Sequence, residues 1–97
     1  MSTITISRVA NDSKGLYVAH VDGFDEVGEL TFSRASAALV IVDHTGVPDS
    51  LRGRGVGAAL AERVVADARS EGFRIVPLCP FFKAQAARHP DWADVIQ

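Results

Sequence analysis

The chain has 97 residues, 47% of them hydrophobic and 23% charged, with a formal net charge of −2. That balance belongs to a small folded chain with one core rather than to a disordered one, and its slight acidity argues against a dedicated nucleic-acid binder. A lone cysteine, Cys79, excludes an internal disulfide and a cysteine-rich metal centre.

Residues 3–10 (TITISRVA) alternate with period two and are rich in β-branched side chains, which predicts a strand. Turn chemistry at 11–15 (NDSKG) leads into a second strand over 16–21, and 22–25 (DGFD) reads as a hairpin break. A third strand is expected over 26–34, with Gly28 as a bulge or a close approach. The continuously apolar 37–44 predicts a central strand covered on both faces. A loop over 45–50 follows.

From Gly55 to Glu71 the apolar residues Val56, Leu60, Val64 and Ala68, with Ala59 alongside, form one helical stripe. Glu62, Arg63, Asp67 and Glu71 fill the opposite side, with Arg63 and Asp67 four apart, and Gly72 supplies a stop. A strand over 73–79 tolerates Pro77 at a bulge or edge. A short helix over 80–89 starts with Pro80, capped by Cys79, and one more turn fits after Pro90. The order implies an α/β fold (α+β, mixed sheet) in one domain over 1–97: an antiparallel meander, a β-α-β crossover and a short C-terminal helix.

The charge is unevenly spread. Residues 1–50 hold seven acids against three bases, net −4, while 51–97 hold seven bases against five acids, net +2. The basic half is where an anion would be met. The apolar run 37–42 is too short to cross a bilayer, so no membrane partner is expected. "MSTITISRVA" has neither a basic start with an apolar block nor an arginine-rich amphipathic character, so a cytoplasmic protein is expected. No ligand spacing joins His20, His44 and His89, so no metal is expected.

The basic half opens with LRGRGVGAAL, Leu51 to Leu60. Glycine inside a helix costs about 1 kcal/mol relative to alanine, so three of them at a helix start need a backbone reason. A loop entering a helix presents N–H groups without partners and the positive end of the helix dipole. Glycines let an anion approach those groups, and arginines add forked donors suited to phosphate. A P-loop would need Lys and Ser or Thr where Ala58 and Ala59 stand. The dinucleotide fingerprint G-x-G-x-x-A matches Gly53, Gly55 and Ala58, but too little chain follows for a doubly wound sheet.

Arg52-Gly53-Arg54-Gly55-Val56-Gly57 resembles the R/Q-x-x-G-x-G/A signature of the Gcn5-related N-acetyltransferases. Together with His44, Thr45, Val47 and Pro48, the later Cys-Pro-Phe (79–81) and His-Pro-Asp-Trp (89–92) resemble the small, single-domain YjdJ-like branch of that superfamily. The likeness spans about residues 26–95. It implies a minimal acetyltransferase fold that binds acetyl-CoA. The pyrophosphate of coenzyme A would lie on Arg52, Gly53, Arg54, Gly55, Val56 and Gly57, and its pantetheine arm on the backbone at Val47, where two strands splay. The implied reaction moves an acetyl group to an amine of a small molecule or protein by direct attack. Larger members carry one or two helices between their first two strands, where this chain has a turn. Phe81 and Phe82 stand where many members place a tyrosine acid. Those departures suit an alternative, a coenzyme A-binding module with little or no catalysis; a third reading is a small nucleotide-binding interaction protein.

Two side chains carry candidate chemistry. Cys79 would face the positive end of a helix dipole; it can accept the acyl group, assist the leaving thiolate, or line the pocket. His44 ends the apolar strand and is a candidate general base, since histidine titrates near working pH; its alternative is to hold the loop before Val47. The acceptor amine is not specified by the sequence. An exposed edge strand is compatible with a monomer or a weak homodimer.

Overall fold

The computed structural model describes residues 3–97; Met1 and Ser2, where the reading of the N-terminus begins, lie outside them. Strands β1 (Ile4–Ala10), β2 (Lys14–Val21), β3 (Val27–Ser36) and β4 (Leu39–Gly46) pair antiparallel in chain order, and β5 (Arg74–Pro77) lies parallel beyond β4. Helix α1 (Val56–Glu71) makes the crossover from β4 to β5, and α2 (Pro80–Ala87) follows β5. The expected mixed sheet of the α+β class is present, with its meander, crossover and short C-terminal helix.

Directly opposed residues share a sheet face. The pairs Tyr17–Leu30, Phe32–Val42 and Val40–Ile75 carry one buried layer across the strands. Helix α1 covers this layer with the expected stripe of Val56, Leu60, Val64 and Ala68, flanked by buried Ala61 and Val65, whereas Ala59, expected alongside, is half-buried. Phe82 of α2 joins the same cluster, as do Trp92 and Val95 from the segment after it. Arg69 of α1 holds that segment by bonds of 3.0 Å to Asp94 and 2.7 Å to the Asp91 carbonyl.

Both helices therefore lie on one face, which corrects the expectation for 37–44. Val40 and Val42 are fully buried, whereas Leu39 and Ile41 on the other face are only half-buried. Leu16, Val18, Thr31 and Val76 share that half-buried condition. A run of apolar residues does not reveal whether a second layer exists to cover it.

The polar side of α1 makes the expected Arg63–Asp67 pair and further contacts with the sheet. Asp67 accepts a 2.7 Å bond from the Tyr17 hydroxyl and pairs with Arg8 at 3.1 Å and Arg63 at 3.2 Å. Arg63 reaches on to the Ile6 carbonyl at 3.0 Å. Burial, with help from Asp67, pushes the Tyr17 hydroxyl well above the ordinary phenol range. The network fastens α1 to β1 and β2.

At the other end of the sheet, the Ile75 N–H donates to Val95 and the Ile75 carbonyl accepts from Gln97, so residues 95–97 cover the outer edge of β5. Strand β1 forms the opposite edge of the sheet. Among the described residues no helix is long and apolar enough to cross a membrane.

Candidate functional site

The site begins where β4 and β5 part. Their ladder ends at the Val42–Pro77 pair, yet β4 continues beside β3 as far as the Glu29–Gly46 pair. Two local causes act at the same level. Opposite Phe32 and Thr31 the partner jumps from Val42 to His44, so Asp43 is the extra residue of a bulge. Pro77 has no N–H with which to continue a ladder, and the chain turns away, with Leu78 N–H donating to the Val76 carbonyl at 3.0 Å. The strand expected to reach residue 79 therefore stops at Pro77, and the loop expected from Thr45 is still strand at Gly46. Thr45 and Gly46 lie beyond the end of β5, and among the described residues no strand pairs with them on that side.

Past the strand, a 3₁₀ turn (Asp49–Leu51) buries Leu51 completely and anchors the loop that leads to α1. Val47 is half-buried against the core just before it. The three glycines that follow have different reasons. Gly53 (φ 76°) and Gly55 (φ 78°) adopt the left-handed conformation that disfavours any side chain, and the space above both is open. Gly57 has an ordinary helical backbone, but a Cβ there would come 2.5 Å from the Phe81 ring. Phe81 packs the start of α2 against the start of α1. A fourth glycine, Gly28 on β3, lets Val56 sit against the sheet: a Cβ there would meet Val56 Cγ1 at 2.5 Å. Gly28 is thus the close approach of the two expected alternatives, and the bulge lies at Asp43.

Gly55 is the residue before α1, and its carbonyl accepts from Ala59 at 2.9 Å. The amides of Val56, Gly57 and Ala58 precede that first bond of the helix ladder. These amides, the dipole end and the open ground above Gly53 and Gly55 form a surface suited to an anion. The two arginines of the loop are held differently. Arg52 pairs with Asp49 at 2.9 Å, while the Arg54 guanidinium lies 4.3 Å above the centre of the Phe24 ring. Neither Asp49 nor Phe24 was marked by the sequence pattern; a lone aromatic in a polar turn was the available signal for Phe24.

Cys79 lies at the apex of the opening. It is 2% exposed, its N–H donates to the Val42 carbonyl at 2.9 Å, and its Sγ is 3.5 Å from Thr45 Oγ1. It also occupies the position before α2, as expected, without a side-chain cap bond. His44 is elsewhere. It opposes Thr31 on the uncovered face of the sheet and is exposed, whereas Thr45 opposes the buried Leu30 on the helix face. The structure therefore brings Val47 and Arg52 to Gly57 together along one loop, sets Cys79 beside the opening, and separates His44 from Cys79 by the thickness of β4. Cavities of about 330 Å³ beside Asn11, Lys14 and Leu16, and about 240 Å³ beside Ala86, His89 and Ala93, have no lining residue in common with this loop. The candidate site is the gap where β4 and β5 part together with the loop from Val47 to Gly57.

This arrangement has counterparts in known proteins. A profile of the GCN5-related N-acetyl-transferase family matches residues 16–95. The chain is similar to the solution structure of a GCN5-like protein from Staphylococcus aureus, named there as a candidate N-acetyltransferase, with 30% identity and a TM-score of 0.72. The match covers 100% of this chain and 91% of that one. No curated protein matches. With most of its length inside the family profile, the chain belongs to the GCN5-related N-acetyltransferase family.

Proposed function

We propose that the protein is an N-acetyltransferase that moves the acetyl group of acetyl-CoA to an amine by direct attack. The observation that carries the reading is the parting of β4 and β5 next to the Arg52–Gly57 loop: an opening for a thioester arm beside a surface for its pyrophosphate. The residues present fit coenzyme A, since the ground above Gly53 and Gly55 is clear and Arg54 there has no carboxylate partner among the described residues. Acetyl-CoA supplies the activated acyl group. Backbone near Val47 would orient the arm and polarise the carbonyl, raising the effective concentration of the attacking amine and stabilising the developing oxyanion.

In this reading Cys79, just after β5, would meet the sulfur end of such an arm. Its thiol points to Thr45, so in this position it lines the opening, and a proton from it to the leaving thiolate would require rotation away from Thr45. His44 would serve an amine that approaches from the uncovered face of the sheet. A second reading is a coenzyme A-binding module with little or no turnover. It is favoured by the separation of His44 from Cys79, which keeps that imidazole away from the thiol.

Thermal stabilisation by acetyl-CoA, coenzyme A, NAD and ATP, followed by thiol release over a panel of amines, tests the proposal. A ligand that binds only the folded state stabilises it by about 2.7 kcal/mol at a hundredfold excess over Kd. Acetyl-CoA and coenzyme A are expected to stabilise, with thiol release on at least one amine class. Stabilisation without release on any amine supports the binding module; stabilisation by NAD or ATP alone overturns both readings.

A further inference from the structure

The two arginines of the cradle loop are equally basic in sequence but not in surroundings. Arg52 is tied to Asp49 within its own loop, so a carboxylate already offsets its charge and its Nε–H is engaged. Arg54 has no carboxylate partner among the described residues; its guanidinium carbon stands 4.3 Å above the ring of Phe24. A guanidinium lying on a ring keeps its N–H donors around its own plane, free for oxygen atoms, and retains its full charge. The ring therefore restrains the side chain without competing for what an anion would use.

Phe24 is well founded for this work. It lies in the turn between β2 and β3, its N–H donates to the Val21 carbonyl at 3.1 Å, and its ring packs half-buried against the core. A second contact joins the same turn to the cradle loop: Ser50 donates to Glu26 at 2.8 Å. That bond engages one oxygen of the Glu26 carboxylate and ties the turn to the loop.

We propose that Phe24 is a positioning residue for the anion site: its ring holds the Arg54 guanidinium in place, charged and with free donors, before the pyrophosphate arrives. The inference rests on the reading of residues 52–57 as the pyrophosphate loop of coenzyme A. It makes Arg54 the stronger of the two arginines and places part of the cradle's affinity in a turn distant in sequence. Preorganising a long cation in this way reduces the freedom lost on binding.

The test is a double-mutant cycle on coenzyme A affinity, measured by titration calorimetry with the whole chain. Phe24→Leu removes the π face and is expected to raise Kd about two- to fivefold, the range of an exposed cation–π contact. Phe24→Tyr is expected to restore wild-type affinity. In the Arg54→Ala background, Phe24→Leu is expected to change nothing further, an outcome that general loosening of the fold would not give. Phe24→Met serves as a second variant of similar bulk should Phe24→Leu unfold. An unchanged Kd in Phe24→Leu, or equal weakening in both backgrounds, overturns the positioning role alone. A wild-type chain that binds no coenzyme A overturns the cradle reading and this inference with it.

Discussion

Cys79 and His44 stand on opposite faces of β4. The thiol lies 3.5 Å from Thr45 Oγ1, which opposes buried Leu30, while His44 opposes Thr31 on the uncovered face. A cysteine and a histidine acting as a pair need hydrogen-bond reach of one another, and the strand between them denies it. His44→Ala is therefore expected to leave the rate of iodoacetamide alkylation at Cys79 unchanged. A several-fold slowing would show that the imidazole reaches the thiol.

The glycines of the site separate by what each one clears. Gly28→Ala drives a methyl against Val56 Cγ1, which belongs to a stiff, fully buried side chain on α1. Overpacking of this kind costs about 1–3 kcal/mol, to be read as a lower urea midpoint with unchanged slope. Gly57→Ala meets instead the outer end of the Phe81 ring, which is 39% exposed. Alanine's helix preference, worth about 1 kcal/mol, offsets the contact, so stability is expected to stay near wild type while the affinity for coenzyme A falls.

Much of the fold can be read from the chain, because hydrophobic period and turn residues are local signals. The 3.6-residue stripe from Val56 to Ala68 and the alternation of β1 are matched by what the structure buries and pairs. The RGRGVG loop is equally legible, since glycine marks backbone demands wherever it clusters. What is not legible depends on chain segments that meet from far apart. Asp67 reads as a surface partner of Arg63, yet Tyr17 and Arg8 also come to it across the sheet. Phe24 and Arg54 meet only because the β2–β3 turn folds beside the loop. The face on which His44 lies depends on the single extra residue at Asp43, and one residue of register reverses every side chain beyond it.

The network under α1 gives a separate prediction. The Tyr17 hydroxyl donates 2.7 Å to Asp67 from a side chain 1% exposed. Tyr17→Phe removes that donor while Arg8 and Arg63 still face the carboxylate. A hydrogen bond to a charged group contributes about 1.5–3 kcal/mol, and a loss within that range is expected in equilibrium unfolding. A variant as stable as wild type would mean that the arginines hold Asp67 without the phenol.

Asp94 sets part of the acid limb of stability. Hydrogen bonds from Arg69 at 3.0 Å hold its carboxyl below the ordinary aspartate value. A carboxyl with a lower pKa in the folded state contributes stability above its unfolded pKa, and that contribution is lost as pH falls through the folded value. The pair is exposed, so the effect is small and weakened by salt. Asp94→Asn is expected to lower Tm at neutral pH and to flatten its fall toward acid, the two curves meeting where the wild-type carboxyl is also protonated. Parallel curves across the whole range would contradict the pairing.

The central claim is that the loop from Arg52 to Gly57 and the first amides of α1 receive the pyrophosphate of coenzyme A. Backbone amide shifts of the isotope-labelled chain, followed by NMR during titration with coenzyme A, address it most directly. The predicted result is that the largest shifts fall on Gly53, Gly55, Val56, Gly57 and Ala58 and disappear in Arg54→Glu. Shifts confined to other parts of the sheet, or unchanged binding in Arg54→Glu, would contradict it.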